Sequence, residues 1–419
     1  MVLSLKAADP AIGKTADLQQ QLLEVFQIPY KFKILSQSPL VTLHNKTPKE
    51  TLERLGDVSP IALGDLHASV RKLVETLVVT NLVEMPLETA KDFVALAKKL
   101  EHDKTLEEMR VSQDKLEKLI PQMKWKDPKR QLILIGDTIS DRGPLDSVTM
   151  DIIRHLRTDA KNPEAIILIA SNHDHNVLGF LRTGQNSMRE SICRSLMNAM
   201  ALADTSENKE ALPELIHNYN DYLKQAKLLY VDAHGTLYTH APVTNDHLQN
   251  LMGLMKKFPE KLSSPIIPAQ QWTMARVQAF TEVANGLYQK YVMDRQTENK
   301  HPEWAKWQTP GWLSWIDNFE SFLAERQGFF WTRKLHRNQV NLPFADSPVK
   351  ALVHGHTKTS DVMIFPPALN SKESYSIFNL DQNVRKASVS DEVEANFQSI
   401  LYTPCLWKST SDKPLKAKL

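Results

Sequence analysis

The chain has 419 residues, with 51 Lys and Arg against 49 Asp and Glu, so its formal net charge of +2 offers no broad basic face to nucleic acid or to an anionic lipid surface. Two cysteines, Cys193 and Cys405, exclude a disulfide framework or a zinc-finger cluster and fit a reducing, cytoplasmic compartment. The opening MVLSLKAADPAIGK lacks a sustained apolar run, so no signal peptide is expected, and no stretch approaches the roughly 18 apolar residues of a membrane span.

In chain order, SPIALGD (59–65) is the first short apolar run that ends in turn residues. It reads as a buried strand, and Leu73, Leu77 and Val78 then repeat at helical spacing. Residues 86–122 are charged and helical, with a patchy apolar stripe of Phe93, Leu96, Leu100, Leu106, Met109, Leu116 and Leu119. The strand RQLILIGD (130–137) follows, then a helix through Leu145, Val148, Ile152 and Leu156, then the strand EAIILIASN (164–172). That alternation marks an α/β fold. KLLYVDAHGTLYTHAP (227–242) reads as a hairpin turning through Ala233, His234 and Gly235. Residues 244–328 are again mostly helical and include Trp304, Trp307, Trp312 and Trp315, which are expected to pack under the inserted helices. The strand VKALVHGHT (349–357) is followed by VMIFPPAL, SYSIFNLD, VRKASVSD and SILYTPCLW, read as antiparallel strands, and residues 408–419 read as a flexible tail. One domain of 1–419, with helical insertions at about 86–122 and 244–328, accounts for this order.

The chemistry gathers where these strands end: Asp65 and His67; Asp137, Asp141 and Arg142; Asn172 and His173; His240; His356. In an α/β sheet the carboxyl ends of strands form the crevice in which ligands bind. Carboxylate, amide oxygen and imidazole together suit manganese, iron or zinc better than calcium. The count points to two ions, and Asp137 is the candidate shared carboxylate. Each motif alone is an ordinary turn: GDLH follows a strand, Asp141 or Asp146 could satisfy backbone donors near Pro144, and His240 or His356 singly would be a satisfied polar residue. His354 and His175, beside site residues, are expected to give supporting hydrogen bonds, His234 to be a turn residue and Cys193 a core residue.

Read together, GDLHA, GDTISDRG, SNHD, THAP and HGHT resemble, in order, the motifs GDxHG, GDxxDRG, GNH[ED] and two separated histidines of the phosphoprotein phosphatase family of metallophosphoesterases. The resemblance implies a calcineurin-like α/β (α+β) fold, a two-sheet β-sandwich core flanked by helices. It implies that Asp65, His67 and Asp137 hold one divalent ion and Asp137, Asn172, His240 and His356 a second, with manganese expected and iron or zinc as alternatives. His173 would be the general acid, oriented by Asp141, and Arg142 would hold the phosphate. FFWTRK offers Arg333 as a second phosphate arginine. The implied activity is hydrolysis of phosphoserine, phosphothreonine or phosphotyrosine in a protein or peptide by metal-activated water. Alternatives are a hydrolase of dinucleoside polyphosphates or other small phosphate esters, and a binding protein that keeps the fold without turnover. The extra residue in GDTISDRG, Ala68 and Ser171 in place of glycines, and the lack of a glycine pair after His240 in THAPVT resemble a divergent bacterial or phage-like branch; the large insertions over the site resemble, more narrowly, the Wip-type phosphatase effectors that intracellular bacteria secrete into host cells. The longer loop after Asp137 is expected to bulge to place Asp141 and Arg142.

Overall fold

In the computed structural model the described residues are 21, 33–35, 41–42, 59–141, 143–183, 193–205, 208–258, 272–297, 310–325, 328–332, 347–356, 364–365, 376–381 and 400–402. They form a mixed α/β structure with two main sheets. The first runs in the order β2 (Val41–Thr42), β1 (Lys33–Leu35), β13 (Ile400–Tyr402), β3 (Ile61–Leu63), β6 (Leu132–Leu134) and β7 (Ile166–Leu168). The second runs β11 (Ile364–Phe365), β12 (Ser376–Asn379), β10 (Ala351–His354), β9 (Thr236–Tyr238) and β8 (Tyr230–Val231). Strands β3, β6 and β7 are mutually parallel, as are β9, β10 and β12. Each parallel set therefore delivers its carboxyl ends to one side.

The central strands are apolar on both faces, which is why they read as continuous runs instead of alternating ones. Ala62, Ile133 and Ile167 share a cluster with Tyr238, Ala351, Val353 and Phe378 of the second sheet. Their neighbours Ile61, Leu63, Leu132, Leu134, Ile166 and Leu168 belong instead to a larger cluster with the helices.

Helices α1 (Val70–Val79) and α4 (Asp146–Asp159) fill the crossovers between β3, β6 and β7. Segment 86–122 is a pair, α2 (Leu87–His102) and α3 (Leu106–Leu119), entered and left through a two-stranded ribbon of β4 (Val83–Glu84) and β5 (Lys124–Trp125). Phe93, Leu100, Met109 and Leu116 of the expected stripe are buried, but Leu106 is 38% exposed: it opens α3 directly after the capping box of Thr105 and Glu108, which fixes the helix start at the solvent edge. Helices α5 (Asn172–Thr183), α6 (Arg194–Asp204) and α7 (Ala211–Gln225) follow β7, and α8 (Asn245–Lys256), α9 (Met274–Thr297) and α10 (Pro310–Ala324) make up the second insertion.

The hairpin at 230–238 forms as expected, with the Asp232 carboxylate accepting from His234 N at 2.8 Å and Thr236 N at 2.9 Å. The closing strands bear out their antiparallel reading in part, since β11 pairs antiparallel with β12, but other pairings differ. β12 pairs parallel with β10, and β13 pairs parallel with β1 and antiparallel with β3, because both return to a sheet through long connections. VRKASVSD, Trp304, Trp307, the Trp312 side chain, Cys405 and the 408–419 tail lie outside the described residues. Trp315 is buried as expected, donating to the Leu254 carbonyl at 2.9 Å, and Cys193 is a buried free thiol. No helix among the described residues is long and apolar enough to cross a membrane.

Candidate metal centre

The loops after β3 and β6 are zipped together. His67 N donates to Asp137 O at 2.5 Å, Ala68 N to Thr138 O at 2.9 Å, and Gly143 N to His67 O at 2.8 Å. This geometry needs left-handed backbone. Of the eight non-glycine residues with positive φ among the described residues, six lie in the site loops: His67, Ala68, Asp137, Ser140, Asp141 and His356. Such conformations cost about 1–2 kcal/mol each and persist only where surrounding contacts over-determine them. The expected bulge after Asp137 is therefore real: Ser140 and Asp141 are consecutive left-handed residues at φ 74° and 78°. Asp146 closes it by accepting Ser140 N at 2.8 Å, the plain structural role that GDTISDRG allowed. Gly136, at φ +80°, packs its Cα against the His240 ring, where a Cβ would stand 2.5 Å from Nδ1.

Asp137 lies at the centre. Its Oδ1 is 3.4 Å from His240 Nε2, and its Oδ2 is 3.7 Å from His67 Nε2 and 3.6 Å from His173 Nε2. Two groups of buried ligand atoms share it, His67–Asp137–His173 and Asp137–His240–His356, each with its atoms within 4.8 Å of one another. Burial works to raise the Asp137 pKa, but His173, His240, His67 and His356 outweigh it and hold the carboxyl far below the usual range. Asp65 shifts the other way, raised by its own burial and then by the Asp137 charge, against the pull of His240 and Lys72.

His240 shows what the cluster lacks. Its Nδ1 faces the Ile135 carbonyl at 3.0 Å, so that nitrogen carries the proton, since a carbonyl can only accept. Its Nε2 then points a lone pair at Asn172 Oδ1, 2.7 Å away, and at His356 Nδ1, 3.1 Å away. Against the Asn172 oxygen a neutral His240 sets lone pair against lone pair, and a cation at that point removes the conflict. Asp137 Oδ1 is also fully buried without a hydrogen-bond partner among the described residues, a costly state for a carboxylate that has no positive partner. The donor set of carboxylate, imidazole and amide oxygen fits manganese, iron or zinc.

The structure thus brings His67, Asp137, Asn172, His240 and His356 together, and His173 with them. Four expected placements come out differently or fall outside. The Asp65 carboxylate accepts from His356 N at 3.3 and 3.2 Å, so it braces the His356 turn and belongs to neither group of ligand atoms. Asp141 does not orient His173. Its Oδ2 lies 3.8 Å from His67 Nδ1, while His173 Nδ1 is buried with no hydrogen-bond partner among the described residues. Arg142 and Arg333 lie outside the described residues.

Several supporting residues give little sequence signal. Lys72 reads as a surface lysine of α1, yet it is buried and donates to Asp65 O at 2.7 Å and Gly64 O at 3.2 Å. Ser171 and Asp174 cap α5 reciprocally: Asp174 Oδ2 accepts from Ser171 N and Oγ, both at 2.8 Å, and Ser171 Oγ accepts from Asp174 N at 3.2 Å. This pair fixes Asn172 and His173 between its members, and S-x-x-D before a helix is its visible signature. Burial raises Asp174 to about 7. His354 donates from Nδ1 to Gly355 O at 2.9 Å, burial lowers it to about 4, and His175 stacks on Tyr291.

A buried histidine and carboxylate cluster at converging strand ends of a mixed α/β fold defines the class that the family comparison then specifies. The profile of the WipA-like phosphatase domain matches residues 131–404, and the chain belongs to that family; its enzyme class is phosphatase. Among solved structures it is similar to the phosphatase domain of the Legionella effector WipB, at 16% identity over 71% of this chain and 99% of that one, with a TM-score of 0.47. It is also similar to a cold-active protein tyrosine phosphatase, at 16% identity over 83% of this chain and 76% of that one, with a TM-score of 0.39. A third is the cold-active protein-tyrosine phosphatase of a psychrophile Shewanella, at 15% identity over 83% and 78% of the two chains, with a TM-score of 0.38. No curated protein matches the chain.

Proposed function

We propose that the chain is a metal-dependent phosphomonoesterase of calcineurin-like architecture, with two divalent ions, manganese first among them, and a phosphorylated protein or peptide as substrate. The observation that supports this most is His240, whose protonated Nδ1 leaves an Nε2 lone pair facing the Asn172 oxygen, with His356 Nδ1 converging on the same point. Asp137 would be shared, with His67 on one side and Asn172, His240 and His356 on the other. When bound, such ions make a water nucleophilic and offset the charge of a phosphoryl group.

The chain's own residues do the rest. His173 would give its proton to the leaving oxygen, a role suited to an imidazole near neutrality. Asp141 would orient His67 from its Nδ1 side. Arg142 and Arg333 would hold phosphate oxygens, since a guanidinium fork matches them bidentately.

The test is manganese-dependent hydrolysis of an aryl phosphate by the wild type and by Asp137→Asn and His173→Asn, followed by a phosphopeptide panel set against dinucleoside polyphosphates. Loss of the proton donor should lower turnover by about 10²–10⁴-fold. Full retained activity in either variant would remove the assignment. Delivery into a host cell, expected from the resemblance, is tested separately with a translocation reporter fused to the chain.

A further inference from the structure

The wall of the centre beside His356 comes from the turn that follows the second helical insertion. After α10, the chain turns at Gly328 and runs through Phe329, Phe330, Trp331 and Thr332. The turn is fixed at both ends: Phe329 N donates to Phe322 O at 2.8 Å, and Thr332 Oγ1 meets His247 Nε2 at 3.2 Å. His247 is itself held, because its Nδ1 accepts from Thr244 N at 3.1 Å at the start of α8, four residues after His240. The result is a rigid mount that sets the Trp331 ring edge to face on His356, with centroids 5.8 Å apart and planes at 89°.

On that mount the indole nitrogen has nothing to bond. Trp331 Nε1 is shielded from solvent and has no hydrogen-bond partner among the described residues, although the indole N–H can only donate. Buried indole N–H groups usually find an acceptor. In Trp315, on the preceding helix, the same atom donates to Leu254 O at 2.9 Å. The ring that carries this held, unused donor thus lies against His356, one of the converging imidazoles.

We propose that Trp331 is a substrate-binding residue whose indole N–H donates to an oxygen of the phosphate group bound beside His356. This rests on the phosphomonoesterase reading of the centre. The donor adds a neutral, directional contact on the side that the insertion builds. The same contact holds the phosphate product.

The experiment measures binding of inorganic phosphate by calorimetry in manganese, together with manganese content and kcat/KM on an aryl phosphate. It uses the wild type, Trp331→Phe, which keeps a ring against His356 without the N–H, and Trp331→His, which keeps a ring N–H. In Trp331→Phe, phosphate affinity and kcat/KM should each fall about tenfold or more at unchanged manganese content, as for a lost hydrogen bond to a charged acceptor. Trp331→His should recover part of that loss. Unchanged phosphate affinity in Trp331→Phe overturns the proposal. A loss that tracks departing manganese overturns it as well, because Trp331 would then act only by packing His356. Asp137→Asn separates the two levels of inference: if it binds phosphate as the wild type does, the metal reading fails, and this proposal fails with it.

Discussion

Gly136 is the position where backbone geometry and ligand placement can be tested by one methyl group. At φ +80° an alanine bears the left-handed penalty of about 1–2 kcal/mol. Its Cβ would also stand 2.5 Å from His240 Nδ1, 2.8 Å from its Cγ and 2.9 Å from Ser171 Cβ. His240 cannot retreat without giving up its bond to Ile135 O at 3.0 Å, worth about 1 kcal/mol. Gly136→Ala should therefore lose about 2–4 kcal/mol, and the folded fraction should bind manganese and turn over poorly because the ring is displaced. Gly179 supplies the control, since it lies in α5 and a Cβ there meets nothing within 4 Å. Gly179→Ala should gain about 0.5–1 kcal/mol from reduced unfolded-state freedom. Urea unfolding midpoints, metal content by elemental analysis and aryl phosphate turnover read all three quantities. A Gly136→Ala protein as stable as the wild type, with full metal content, would refute the claim that the β6 backbone sets the His240 ring.

Three further outcomes follow. Asp232→Ala removes an acceptor shared by His234 N, Thr236 N and the Tyr238 hydroxyl, all at 2.8–2.9 Å, and should cost about 2–4 kcal/mol in urea unfolding while leaving activity per folded molecule intact. Manganese at about 100-fold its dissociation constant should stabilise the wild type by about 2.7 kcal/mol, chelation should reverse this, and Asp137→Asn should abolish the increment in a thermal shift assay. Asp151 is pushed up to about 6 by burial, against the pull of Arg154 and with Glu117 and Glu214 adding to the rise. Between pH 4 and 6 the unfolded chain loses that proton while the folded one keeps it, so stability falls as pH rises. Asp151→Asn should thus gain on the wild type across that window, levelling at about 1–3 kcal/mol above it; a difference that does not vary with pH would count against the burial.

The strands around the centre were legible because both of their faces are buried, leaving unbroken apolar runs that end in polar turns. The candidate ligand residues were legible because the motifs keep their order. What escaped the sequence depends on pairing or spacing that short motifs do not encode. β1 and β2 are three and two residues long and take their place only through β13, which returns from the far end of the chain. The site's tryptophan was visible only as part of FFWTRK, and its contact with His356 depends on the fold of the insertion. Helix α7 was there to be read, with Leu215, Tyr219, Tyr222 and Leu223 at helical spacing and all buried.

The pairing of Asp141 with His67 shows why a motif's letters do not settle its geometry. Gly143 is fixed by its bond to His67 O, and the Ala68 backbone leaves it no room for a side chain, so the far end of the loop cannot slide. Asp137 fixes the near end. An added residue between two fixed ends must be taken up inside, and the chain does so by turning Ser140 and Asp141 left-handed in succession, with Asp146 satisfying the Ser140 amide. That path leaves the Asp141 carboxylate 3.8 Å from His67 Nδ1. His173 is then held by its place in the first turn of α5, where the Ser171 and Asp174 cap sets the backbone. Loop length and capping therefore set which carboxylate stands near which histidine, and a motif's spacing alone does not fix those neighbours.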